Sequence, residues 1–170
     1  MKILLAEDDK DAATLSKWML EKRGYKVIIA ENGQECLEVY HEELHNTTLN
    51  TDPSLHTQPF DAVVLDYKMP KINGIEVAKE IFTVNQRQRI IFASAHVQDT
   101  LVDCMQKLDQ TVELIQKPFG EDVLLDTIED KQIYSELQKL SINIDDIKTA
   151  NFTHKQLTGL LEVLKNTRAI

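Results

Sequence analysis

The run Val63-Val64-Leu65 ends on Asp66, and that junction constrains the fold more than any other stretch of the chain. Three consecutive apolar residues with no polar alternation describe a short strand buried on both faces, as inside a parallel sheet. A carboxylate closing such a strand costs free energy unless a positive or hydrogen-bonding group meets it. Pro70, Asn73 and Gly74 then mark a loop before a helical pattern from Ile75 to Val84. Taken alone, Asp66 reads as a cap or turn residue. The rest of the chain changes that reading.

The same unit recurs. Ile3-Leu4-Leu5-Ala6 is a buried strand closed by Glu7-Asp8-Asp9. A helix is expected from about Lys10 to Arg23, with Ala12, Leu15 and Met19 inward and Gly24 as its stop. Trp18 fits either edge of that face. Val27-Ile28-Ile29-Ala30 is the next strand, and Asn32-Gly33 opens a helix carrying Cys36, Leu37 and Tyr40. After the Asp66 unit come the strand Ile90–Ala93 closed by Ser94-Ala95-His96, and a helix from about Gln98 to Leu108. Val112–Gln116 follows as a fifth strand, stopped by Lys117-Pro118-Phe119. Strand–helix alternation predicts right-handed crossovers and a parallel sheet.

One stretch breaks the rhythm. From His41 to Pro59 the chain is rich in Asn, Thr, Ser and Pro and reads as a loop insertion, since connections in such folds usually run about 2–6 residues. His41, His45 and His56 suggest a metal, but no Cys or acid completes a ligand spacing with them.

Composition narrows the function classes. The chain has 170 residues and a net charge of −9, which opposes a surface that grips nucleic acid throughout. No apolar run approaches the roughly 18 residues of a membrane span, and the N-terminus turns acidic too early for a signal peptide. A cytoplasmic protein is therefore expected. Cys36 and Cys104 fall in helical patterns as reduced, half-buried thiols. The sequons at Asn46 and Asn151 have no meaning without secretion.

Five strand ends share one rim in this reading, carrying Glu7, Asp8, Asp66, Ser94 and Lys117. In a doubly wound sheet of order 2-1-3-4-5, the first and third strands are neighbours at the switch point, where ligands bind. Glu7, Asp8 and Asp66 would then crowd one pocket and repel one another without a counter-charge. Mg²⁺, which takes carboxylate oxygens, and the ammonium of Lys117 are the two available. With the hydroxyl of Ser94 added, the pocket suits a phosphoryl group, and a carboxylate can take one up as an aspartyl phosphate.

These residues, in this order, resemble the receiver domain of two-component response regulators, of the chemotaxis-regulator type, over roughly residues 1–130. The resemblance rests on Glu7-Asp8, Val64-Leu65-Asp66 with Met69-Pro70 and Gly74, Ser94-Ala95, and Lys117-Pro118-Phe119. It implies a flavodoxin-like α/β fold: a five-stranded parallel sheet with helices on both faces. It implies that Asp66 accepts phosphate from a sensor histidine kinase or phosphotransfer protein. Mg²⁺ would be held by Asp8, Asp66 and the main-chain carbonyl of Lys68, with Glu7 acting through water. Ser94 and Ala95 with Lys117 would bind and report the phosphoryl group, while Lys68 and His96 would tune its lifetime. The chain would be a signalling domain and not a turnover enzyme, with a downstream protein as its output.

Two departures stand out. The family often has an aromatic switch residue three positions before the lysine, where this chain has Leu114, and the insertion at 41–59 is unusual. Beyond residue 130 lies an extension, 131–170, read as helical. The fifth helix starts near Glu121 and is extended towards Leu140. Thr153 opens a capping box, and Leu157, Leu160, Leu161 and Leu164 form one apolar stripe. The extension could pack on its own domain, pair with a second copy or dock elsewhere. A DNA-binding output is the alternative, but the tail is near charge-neutral. An aspartate-nucleophile phosphatase is opposed by Lys68, which stands where such enzymes usually carry a second aspartate.

Overall fold

The computed structural model describes residues 1–50, 58–108, 110, 112–129 and 159. Among the described residues, five strands alternate with five helices. They are β1 (Lys2–Ala6), α1 (Lys10–Lys22), β2 (Lys26–Ala30), α2 (Gly33–Asn50), β3 (Ala62–Asp66), α3 (Gly74–Val84), β4 (Ile90–Ser94), α4 (Val97–Lys107), β5 (Glu113–Gln116) and α5 (Glu121–Glu129). The strands form one parallel sheet in the order β2-β1-β3-β4-β5, the flavodoxin-like arrangement expected. The chain moves one way from β1 to β2 and the other way from β2 to β3. Right-handed crossovers therefore put α1 on one face and α2 on the other.

Register decides what meets at the rim. Ala6 pairs with Leu65, Asp66 with Ala93, and Ser94 with Gln116. The residues just past these pairs emerge side by side. Beneath them Leu4, Val63, Leu65 and Phe92 join Tyr40 and Phe60 in a fully buried core. Tyr40 brings a hydroxyl into that core, satisfied by Gln88 at 3.1 Å, while the Gln88 amide donates to the Phe60 carbonyl at 3.0 Å.

The helices start where the sequence places caps. The Asp9 carboxylate accepts from the backbone N–H groups of Asp11 and Ala12, both at 2.9 Å, and so opens α1. Asn73 and Glu76 form a reciprocal capping box at α3. Gly24, at φ +85°, turns the chain out of α1.

Three expectations are corrected. The inward face of α1 is Ala13, Ser16, Met19 and Leu20, with Leu15 exposed. Only Met19 of the expected trio is buried, because the stripe that meets the sheet lies one position further along. Trp18 is exposed, with the Lys22 ammonium 5.1 Å above its ring. The stretch from His41 is not a loop throughout: α2 continues unbroken to Asn50. The Thr47 and Thr48 hydroxyls donate to the carbonyls of Glu43 and Leu44, both at 2.7 Å, which absorbs their polarity within the helix. Leu37 and Leu44 pack on the core, and Glu43 pairs with Lys2, so tertiary contacts override a composition poor in helix formers. Cys36 and Cys104 are buried, not half-buried. Burial pushes both thiols up to about 12, which keeps them protonated and unreactive.

Backbone contacts group Met1–Glu121 as one compact unit and Asp122–Ile170 as a second. In the second, the described residues are the remainder of α5, where Leu124, Leu125, Thr127 and Ile128 are buried, and Gly159. His56, the continuation towards Leu140, the Thr153 capping box and the Leu157–Leu164 stripe lie outside the described residues.

Candidate functional site

Glu7 follows β1 directly. Its N–H donates to the Ala30 carbonyl at 3.0 Å, and this ladder bond holds its side chain inward at 5 % exposure. Asp8 is exposed beside it, and Asp66 is half-buried at the end of β3. One oxygen from each of the three carboxylates lies within 4.8 Å of the others. Among the described residues this is the group suited to a metal ion. His41 instead has Glu80 at 3.8 Å.

Lys117 reaches the same pocket from the end of β5. Its backbone N–H donates to the Ser94 carbonyl at 2.9 Å, which ties the two strand ends together. Its ammonium donates to Asp66 Oδ2 at 2.7 Å and to Glu7 Oε2. Burial works against the charged amine, but the hydrogen bonds to Asp66 and Glu7 outweigh it, and its pKa is raised. Burial likewise raises the pKa of Glu7, with the Lys117 ammonium opposing that rise. The other oxygen of Asp66 accepts from the Lys68 N–H at 3.2 Å.

One ammonium against three carboxylates leaves two negative charges uncompensated. The donors are all hard oxygens, close and partly open to water. That set fits Mg²⁺, which keeps several waters and takes one or two carboxylates. Asp9 takes no part, being committed to the helix cap.

The loop after Asp66 is drawn tightly under the pocket. The Gly74 N–H donates to the Tyr67 carbonyl at 3.1 Å. A Cβ at Gly74 would lie 2.3 Å from the Asp66 carbonyl oxygen, so only glycine permits this approach. Lys68 is exposed.

Ser94 ends β4 at 1 % exposure. Its oxygen accepts from the His96 N–H at 2.9 Å and lies 2.9 Å from the Thr100 hydroxyl oxygen. The Thr100 hydroxyl also lies 2.8 Å from the His96 carbonyl. The single Thr100 proton thus has two acceptors within reach, the Ser94 hydroxyl oxygen and the His96 carbonyl. Ala95 and His96 are exposed above this pair.

Sequence reasoning missed two partners of the site. One is Thr100, fully buried and hydrogen-bonded to Ser94. Its signal was its place on the inward stripe Val97, Thr100, Cys104. The other is Tyr67, whose hydroxyl donates to Asp103 Oδ2 at 2.5 Å. That hydrogen bond, more than burial, pushes the phenol up to about 12, and it lowers the pKa of Asp103 in turn. No pattern pairs residues so far apart. Leu114 packs against the core and carries no polar group towards the rim.

The sequence profile of the response regulator receiver domain matches residues 3–129. The chemotaxis protein CheY of Bacillus subtilis is 33 % identical over 129 residues, covering 75 % of this chain and 93 % of that protein. The alkaline phosphatase synthesis transcriptional regulatory protein PhoP of B. subtilis is 33 % identical over 91 residues, covering 54 % of this chain but 30 % of its own length. Among solved structures, the response regulator TrrA of Thermotoga maritima, in complex with Mg²⁺ and beryllofluoride, superimposes with a TM-score of 0.57 at 29 % identity. It covers 75 % of this chain and 96 % of TrrA. The fold, the ordered rim residues and these matches agree: the chain belongs to the response-regulator receiver family.

Proposed function

We propose that the chain is a phosphorylation-switched signalling domain whose acceptor is Asp66. The observation that carries this reading is Lys117 Nζ at 2.7 Å from Asp66 Oδ2, inside a cluster of three carboxylates within 4.8 Å. A carboxylate in that setting has a fixed cation ready to bind a phosphoryl oxygen and an electrostatic demand for a divalent ion. Glu7, Asp8, Asp66 and the Lys68 carbonyl would hold Mg²⁺, which supplies charge neutralisation for the phosphoryl group when bound.

The donor is a phosphohistidine of a sensor histidine kinase or phosphotransfer protein. An Asp66 oxygen forms a bond to phosphorus, the phosphorus–nitrogen bond breaks, and the imidazole leaves with its electron pair. Lys117 moves from pairing carboxylates to pairing a phosphoryl oxygen. Ser94 donates its hydroxyl proton to another, with the backbone of Ala95 beside it. Lys68 and His96, both exposed, govern how readily water reaches the phosphorus and so how long the adduct lasts. The chain is a phosphoacceptor and carries out no sustained turnover.

The receiver occupies 1–130 and an extension 131–170, and the setting is cytoplasmic. Among the described residues no helix is long and apolar enough to cross a membrane. The output is a contact with a downstream protein. A DNA-directed output is opposed by the net charge of −9.

The test is intact mass after incubation with acetyl phosphate, with and without Mg²⁺, on the native chain and on Asp66→Asn. The expected result is one added phosphoryl group that requires Mg²⁺ and is absent in the variant. A phosphoryl group retained by Asp66→Asn would remove Asp66 as the acceptor.

A further inference from the structure

The loop between β3 and α3 holds the one non-glycine residue with positive φ among the described residues, Lys71 at φ 69°. The Ile72 N–H donates to the Pro70 carbonyl at 2.9 Å, so the chain reverses over Lys71 alone, in the rare left-handed form of the γ-turn. That conformation costs free energy for any residue with a Cβ. The Lys71 side chain is exposed, so its own packing does not offset the cost. The anchors lie on either side: Met69 is buried, and Ile72 packs against the core. Pro70 and Lys71 alone remain to join them.

A second element closes in on the same loop. Gly33, the first residue of α2, is buried, and a Cβ on it would lie 2.1 Å from the Ile72 carbonyl oxygen and 2.9 Å from the Ile72 Cβ. Cys36 and Tyr40, on the same face of α2, are fully buried and fix the helix in place. The start of α2 is thus a wall against which Ile72 rests. At the acceptor end of the loop, the Lys68 N–H donates to Asp66 Oδ1 at 3.2 Å.

We propose that Gly33 and Lys71 are positioning residues for divalent-ion binding: the α2 wall and the strained turn together preset the segment from Asp66 to Lys68 for Mg²⁺. The inference rests on the reading that Asp66 and the Lys68 carbonyl help to hold that ion. Neither Gly33 nor Lys71 touches it. Only molecules with the turn formed bind the ion at full strength, so any change that depopulates the turn weakens the apparent affinity in proportion. What counts at position 71 is the backbone conformation and not the ammonium.

The test is calorimetric titration of the full chain with Mg²⁺, alongside thermal melts without it. Lys71→Val should bind Mg²⁺ about tenfold more weakly, the loss expected when a β-branched residue that resists positive φ cuts the turn population to about a tenth. Lys71→Ala should match the native affinity. Lys71→Gly should also match it while melting a few degrees higher, because glycine takes positive φ without strain. Gly33→Ala should weaken Mg²⁺ binding about tenfold although α2 supplies no ligand. The double variant Gly33→Ala/Lys71→Val should lose less than the product of the two single losses, since both displace one loop. A merely structural role would move the melts and leave the affinity unchanged. Native affinity in a folded Lys71→Val chain would overturn the proposal, and so would tighter binding by Lys71→Ala, which would trace the effect to charge. Position 71 is exposed, so its variants decide the matter even if Gly33→Ala fails to fold. A native chain that does not bind Mg²⁺ would overturn the metal-site reading and the proposal together. A native chain that binds it, with the folded variants unchanged, would overturn the positioning role alone.

Discussion

Lys117 organises the site at the scale of single residues. It is paired with two carboxylates and its pKa is raised above the ordinary 10.5 by those bonds, despite burial. The folded state therefore holds this proton more tightly than the unfolded chain. The resulting stability is fully present below about pH 10.5 and is lost as the pH rises through the folded-state value. Lys117→Met should remove this alkaline decline, and it should destabilise the fold by about 1–3 kcal/mol at neutral pH by leaving Glu7 buried without a cation. Urea unfolding of both chains across a pH series checks this; parallel pH profiles would count against it. Asp8 is the opposite case, an exposed charge that adds repulsion. Asp8→Asn should raise the melting temperature without Mg²⁺ by a few degrees and abolish the rise that Mg²⁺ gives the native chain. Thermal melts with and without Mg²⁺ read both effects.

The elements that surprise are α2 and the loop after β3. Residues 41–50 read as a loop by composition, yet the Thr47 and Thr48 hydroxyls turn back onto the helix itself and Leu44 finds the core. His45→Pro separates the two descriptions. In a helix interior it should cost about 3 kcal/mol, whereas in a surface loop it should cost almost nothing. The midpoint of urea unfolding is the measurement. The loop after β3 depends on Gly74 in a way composition could not show. Gly74→Ala should cost about 1–3 kcal/mol by pushing a Cβ onto the Asp66 carbonyl. It should also slow phosphoryl uptake, since the carbonyl it strikes belongs to the acceptor residue. Uptake at the native rate in a stable Gly74→Ala chain would show that the approach is not needed.

Over the whole molecule, the sheet and the site share one support. Phe92 lies in the middle of β4, fully buried, and a Cβ on Gly74 would come within 3.1 Å of its ring. Core, loop and acceptor are thus in contact. Phe92→Ala should cost about 3–5 kcal/mol, a large share of the roughly 5–15 kcal/mol that holds a domain of this kind together. The same variant should reduce phosphoryl uptake even where it stays folded, as the floor beneath the loop is removed. Denaturant unfolding and intact mass on one preparation test both.

The sequence by itself determined the alternation of elements, the parallel sheet and the set of rim residues from Glu7 to Lys117. Each is written in short-range terms: uninterrupted apolar runs for buried strands, caps and glycines for helix ends, polar residues where strands stop. Only the tertiary structure decided which face of α1 turns inward, that α2 runs on to Asn50, and which groups meet across the rim. Lys117 pairs with residues 110 and 51 positions away, Tyr67 with one 36 positions away. Periodicity carries no information at such separations. The register of β3 between β1 and β4 supplies it, by bringing distant strand ends within hydrogen-bonding distance.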